Sequence, residues 1–133
     1  MKSVLLLCAA VLVSGCATGH LYPVQGPLSA LTPAPVYKVK MGNGDQISAT
    51  VANGEVCNGT WLDLVQEDPT AREMAADWDL VYGKGFFLAN VLGKAGVARS
   101  MLTCPKGLTV NVEFNSTQGV AKDSNGNVFK LTF

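Results

Sequence analysis

Short runs of alternating apolar and polar residues, each ended by glycine or asparagine, recur from residue 36 to residue 133 and constrain this chain more than any other feature. A period of two sends successive side chains to opposite faces of a pleated strand, so each run reads as a strand with one apolar face. Val36 to Met41 sets Tyr37, Val39 and Met41 against Lys38 and Lys40, and Gln46 to Ala52 returns with Ile47, Ala49 and Val51 on one side. Between them lies Gly42-Asn43-Gly44-Asp45, and after them Asn53-Gly54. These are turn sequences, because glycine and asparagine adopt positive φ at little cost. Glu55 to Trp61 reads as the third strand of a meander. Farther on, Leu108, Val110, Val112 and Phe114 alternate with Thr109, Asn111, Glu113 and Asn115. Val97 to Cys104 is their expected partner across Pro105-Lys106-Gly107. A last hairpin runs from Val120 to Asp123, turns on Ser124-Asn125-Gly126-Asn127, and points Phe129, Leu131 and Phe133 inward.

One segment follows a different period. Ala71, Met74, Ala75, Trp78, Val81 and Tyr82 recur at three- and four-residue steps, the apolar stripe of an amphipathic helix. Asp68 before Pro69 offers a cap with proline at the first helical position, Thr70 to Glu73 fits a capping box, and Gly83 ends the stripe. Phe86 to Leu92 is an apolar run between glycines that suits either a buried strand or a helix, and is assigned here to a strand. The expected fold is therefore α+β and β-rich. Six to seven antiparallel strands would form a curled sheet or small barrel with one amphipathic helix, in a single domain over residues 36–133.

The first residues obey neither period. Met1-Lys2-Ser3 is a short basic start, and Val4 to Val13 is apolar but too short to span a hydrocarbon core of about 30 Å. This order describes a secretory signal peptide over residues 1–15. The run ends in Leu12-Val13-Ser14-Gly15-Cys16, which resembles the lipobox of bacterial lipoproteins. That resemblance implies cleavage before Cys16, a diacylglycerol on its thiol and acylation of the freed amine. Ala17 in place of aspartate implies delivery to the outer membrane, with the domain facing the periplasm. Each buried methylene adds about 0.8 kcal/mol, so several acyl chains hold a protein at a membrane for good. Residues 16–35 carry Pro23, Pro27, Pro33 and Pro35 with Gly19 and Gly26, and read as the lipidated cysteine followed by a semi-rigid tether. The single histidine, His20, falls inside it.

Cleavage would remove Cys8 and lipidation would occupy Cys16, leaving Cys57 and Cys104. An oxidising compartment favours a disulfide between them, with two buried free thiols as the alternative. No CxxC spacing marks a redox pair.

Charge and side-chain inventory narrow the function. Loss of Lys2 with the leader leaves nine basic against ten acidic residues, without a basic stripe, so nucleic acid is not an expected partner. A histidine confined to a tether supplies no base for a catalytic triad and no anchor for a transition metal, and no cofactor is expected. Asp123-Ser124-Asn125-Gly126-Asn127 begins like a calcium loop, but Val128 stands where the pattern continues and no twelfth-position acid follows, so a hairpin turn is the expectation. Asp63, Glu67, Asp68, Glu73, Asp77 and Asp79 gather around the helix. Asp77 and Asp79 lie two apart and face different ways, which reads as solvated surface rather than an acid/base pair. Trp61, Trp78, Tyr82, Phe86 and Phe87 are assigned to the core, with a sugar-stacking or protein-binding face as the other use. Asn58-Gly59-Thr60 and Asn115-Ser116-Thr117 match glycosylation sequons, which a bacterial chain would not use.

Four stretches together resemble a group of small Gram-negative lipoproteins to which no activity is attached. They are Asn53 to Trp61, Val81 to Phe86, Leu108 to Phe114 and Gly119 to Asp123. The expectation is a non-enzymatic envelope lipoprotein, held to the membrane by its N-terminal lipid, that binds an envelope protein or cell-wall material. The alternative is an inhibitor similar to the membrane-bound inhibitors of c-type lysozyme, which share the lipobox, the size, a disulfide and an antiparallel β fold. The central helix and long tether depart from that group.

Overall fold

The alternating runs form strands where the pattern places them, and one more strand precedes them. The computed structural model describes residues 17–133. The leader, Cys8 and Cys16 lie outside the described residues. The strands are β1 (Thr18–Gln25), β2 (Tyr37–Met41), β3 (Gln46–Thr50), β4 (Val56–Asp63), β5 (Ala98–Thr103), β6 (Thr109–Phe114), β7 (Gln118–Asp123) and β8 (Val128–Thr132). Each pairs antiparallel with the next, and β1 pairs with β8 to close an eight-stranded up-and-down barrel. Closure leaves no exposed sheet edge. The expected six to seven strands are thus eight.

The additional strand corrects the reading of residues 16–35 as a tether. Gly19, Leu21 and Pro23 alternate with His20, Tyr22 and Val24, and Leu21 is buried against Tyr37 and Leu131 in the ladders on either side. Pro23 has no N–H for a ladder, and the β1–β8 register shifts between Pro23 and Gln25, which accommodates that loss. Pro27 then opens a 3-10 turn, Pro27–Ala30. The turn is tied to the neighbouring β7–β8 hairpin, where the Leu28 N–H donates to Asn127 Oδ1 at 2.9 Å. Of the four prolines that suggested a spacer, Pro23 sits at a register shift and Pro27 at a turn start, while Pro33 and Pro35 lie in the connection to β2.

The connections define two ends. At the lower end are Ala17, the β2–β3 turn at 42–45, the long excursion at 64–97, the β6–β7 turn at 115–117, and Phe133. At the upper end are the segments at 26–36, 51–55, 104–108 and 124–127.

Inward-facing residues fill the barrel. Leu21, Tyr37, Val39, Ile47, Ala49, Leu102, Val110, Val112, Phe114, Phe129 and Leu131 form one buried cluster, so this narrow barrel is a packed core. Cys57 and Cys104 belong to the same cluster and are bonded, with an S–S distance of 2.04 Å. They lie one step beyond the paired Asn58 and Thr103, so the bridge joins the strands on either side of the excursion.

The excursion forms a second layer outside the wall. It contains a 3-10 turn (Pro69–Arg72), α1 (Ala75–Tyr82) and α2 (Phe86–Asn90). The expected single helix from Pro69 is broken at Glu73–Met74. Asp68 caps the 3-10 turn by accepting from the Thr70 N–H at 2.9 Å, while Glu73 points to Arg99 instead of closing a capping box. The strand assignment at 86–92 is also corrected, since Phe86–Asn90 is a helix. Met74, Trp78, Phe87, Val91 and Val97 pack on Val120, which points outward from β7, and make a core distinct from the barrel interior.

Candidate functional site

The interior is filled, and two grooves lie on the outer wall. The wall carries a buried polar network that seats α1. Glu113 points outward from β6 yet is completely buried. Its Oε1 accepts from Trp78 Nε1 at 2.8 Å and its Oε2 from the Arg99 guanidinium at 2.8 Å. Arg99 faces Glu113 across the β5–β6 ladder and also donates to the Thr70 carbonyl at 2.7 Å and to Glu73 Oε2 at 3.1 Å. A carboxylate withdrawn from water needs such partners, since charges are buried only when paired and hydrogen-bonded. Alternation alone placed Glu113 on the solvent side of its strand. Neither it nor Arg99 stood out in the sequence, because the layer that covers them is built from residues far away in the chain.

Beside the network runs a groove of about 490 Å3, lined by Glu73, Asp77, Arg99, Asn111, Lys122 and Ser124 among others. Asp77, expected on a solvated surface, is 9% exposed here. Burial raises its carboxyl above the ordinary aspartate range, and the charge of Lys122 offsets part of that rise. Asp79 has a different task. Its two oxygens accept the Gly85 and Phe87 N–H groups at 3.1 and 2.9 Å, capping α2 across the glycine turn and holding its own pKa below the usual range. The two aspartates point to separate surroundings, as their spacing implied.

A second groove, of about 700 Å3, crosses the outer wall of β2 to β5 and is lined by Lys40, Gln46, Ser48, Asn58, Thr60 and Thr103 among others. Beneath it, β4 and β5 approach closely at Gly59, which faces into the barrel in step with Cys57 and Trp61. A Cβ there would stand 2.5 Å from the Met101 carbonyl oxygen and 2.9 Å from Ser100 Oγ. The buried Ser100 hydroxyl donates to the Thr60 carbonyl at 2.8 Å at this point of the β4–β5 seam.

The remaining sequence candidates fall in these places. The Asp123 carboxylate is buried and spent on its own turn, accepting from the Asn125 and Asn127 N–H groups and from Asn127 Nδ2 at 2.9–3.0 Å. That is a hairpin turn, as expected. His20 lies on β1, half-buried beside Tyr22. Among the described residues, no group of three His, Cys, Asp or Glu side chains stands close enough to hold a metal. Trp78 and Phe87 are buried, with Tyr82 and Phe86 stacked at 4.8 Å beside them. The Tyr82 hydroxyl donates to the carbonyls of Gly119 and Leu131, and burial pushes its pKa up. Trp61 is half-buried at the lower mouth of the barrel, edge-on to Phe114, and Phe114 is edge-on to Phe133. Trp78 and Phe87 thus serve packing, while Trp61, Tyr82 and Phe86 lie half-buried at its margin.

Fold and grooves together define a filled, disulfide-stapled eight-stranded barrel with a helical layer on one side. Comparison of the chain with models of known families, with curated proteins and with solved structures returned no match.

Proposed function

We propose that this chain is a lipoprotein of the outer membrane, anchored through Cys16, whose periplasm-facing barrel binds a protein or cell-wall partner and carries out no catalysis. The observation that supports it most is the assignment of the chain's polar groups. Glu113 is spent on seating α1, Asp123 on a turn and Asp79 on a helix start. What is left for recognition is a wall with two polar grooves and an upper end where Leu31, Val36 and Val56 are exposed. Exposed apolar side chains at one end suit a protein surface better than a small substrate. No helix among the described residues is long and apolar enough to cross a membrane.

The test uses the full lipoprotein in mild detergent. It should co-sediment with isolated cell wall or crosslink in cells to one envelope protein, and should leave peptidoglycan, esters and phosphoesters intact. Turnover of any of these that disappears in Asp77→Asn would overturn the proposal.

A second reading has one observation in its favour: a closed antiparallel barrel with an internal disulfide suits an inhibitor similar to those of c-type lysozyme. Lysozyme assayed with and without the protein separates the two, since only the inhibitor reading expects lost activity.

A further inference from the structure

Anchoring through Cys16, the basis of the proposed function, has a geometric consequence once β1 is known to begin at Thr18. Ala17 is already fixed to the barrel, its carbonyl accepting the Met41 N–H at 2.9 Å. Two residue steps separate Cys16 from Thr18, at most about 7 Å of extended chain. The polar layer on each side of a bilayer is about 5–7.5 Å thick, taking a hydrocarbon core of about 30 Å within 40–45 Å overall. Acyl chains on Cys16 must lie in the hydrocarbon, so the first residue of β1 stays at headgroup level or within a few ångström of it.

From this we infer that the barrel has no spacer and stands directly on the phospholipid surface by its lower end, its axis raised from the membrane and its upper end toward the periplasm. The side chains at that end fit the position. Phe133 is 39% exposed and lies over Gly19, where a Cβ would stand 2.9 Å from its ring. Leu62 and Val65, where the chain leaves β4, are 69% and 58% exposed. Aromatic and apolar side chains at headgroup level are a recurring feature of membrane interfaces. Exposure alone does not select this end, because Leu31, Val36 and Val56 are exposed at the other one. The short link selects it. Those three side chains then face away from the lipid, where a partner can reach them.

The experiment places a fluorophore at each end of the full, acylated protein. Asn43→Cys lies in the β2–β3 turn of the lower end and Lys106→Cys in the β5–β6 turn of the upper end, both exposed. Six-residue strands rising about 3.3 Å per residue and tilted about 40° put the upper label roughly 15 Å farther from the lipid. Each protein is reconstituted in vesicles of phosphatidylethanolamine and phosphatidylglycerol carrying a nitroxide quencher on some headgroups. Quenching should be severalfold stronger at position 43 than at 106. A flexible Gly-Ser insert between Ala17 and Thr18 should reduce it at 43.

Intact mass distinguishes the ways to fail. A protein carrying the lipid mass but quenched equally at both positions, or more at 106, overturns the seating and leaves anchoring intact. A protein purified from a lipoprotein-processing host without lipid mass overturns the anchoring and the seating together.

Discussion

At the residue scale the molecule rests on one buried carboxylate. Glu113 has no solvent contact, and among the described residues Arg99 is its only cationic partner. Replacing Arg99 with leucine leaves a buried charge facing only the Trp78 N–H. Breaking a buried pair from one side costs about 3–5 kcal/mol, and urea unfolding should show a loss of that order. Adding Glu113→Gln to Arg99→Leu removes the stranded charge and should recover part of the loss. A loss below about 1 kcal/mol, typical of an exposed pair, would mean that the network does not hold the helical layer.

Asp77 makes the opposite kind of contribution. Burial raises its folded pKa above the unfolded value, so the folded state holds its proton more tightly than the unfolded one. That favours folding at low pH, and the advantage is lost as pH rises from the unfolded pKa through the folded one. Asp77→Asn should therefore raise the melting temperature at pH 7 and change it little near pH 3. Asp79 has a lowered pKa, and its contribution is present at neutral pH and lost on acidification through its folded value. An Asp77→Asn protein that melts lower than the wild type at pH 7 would show that the carboxylate has a partner that offsets its burial.

At the element scale, the bridge between Cys57 and Cys104 spans 47 residues of sequence and joins the strands that flank the helical excursion. Closing a loop of that size in the unfolded chain is worth about 4 kcal/mol in the chain-entropy model. Changing both cysteines to serine should lower stability by about 2–5 kcal/mol, measured by denaturant titration, and should give a mass unaffected by reductant. Alkylation of both thiols in the untreated native protein would contradict the bridge.

The legibility of elements follows the source of their signal. β2 to β8 were readable because one face meets a filled interior and the other faces outward, which writes a clear alternation of period two. β1 has the same alternation in Gly19, Leu21 and Pro23, but the surrounding prolines read as a spacer, and nothing local says that Leu21 meets Leu131 far away in the chain. Phe86 to Asn90 was read as a strand because a short apolar run between glycines has no period of its own. The carboxylate of Asp79 that starts this helix lies on the preceding one. The wall grooves were the least legible feature, since Asp77, Arg99 and Lys122 come from three elements that meet only when the helical excursion folds back on the β5–β7 strands.

At the scale of the whole molecule, a barrel without a free edge, filled inside and stapled by a disulfide, suits exposure in an oxidising envelope. Its lower end begins two residues after the cysteine that would hold the lipid. The measurement that tests this account most directly is growth with labelled palmitate in a host with native lipoprotein processing, followed by membrane fractionation of the wild type and Cys16→Ala. The account predicts label and outer-membrane recovery for the wild type and neither for the variant. A soluble, unlabelled wild-type protein would contradict it.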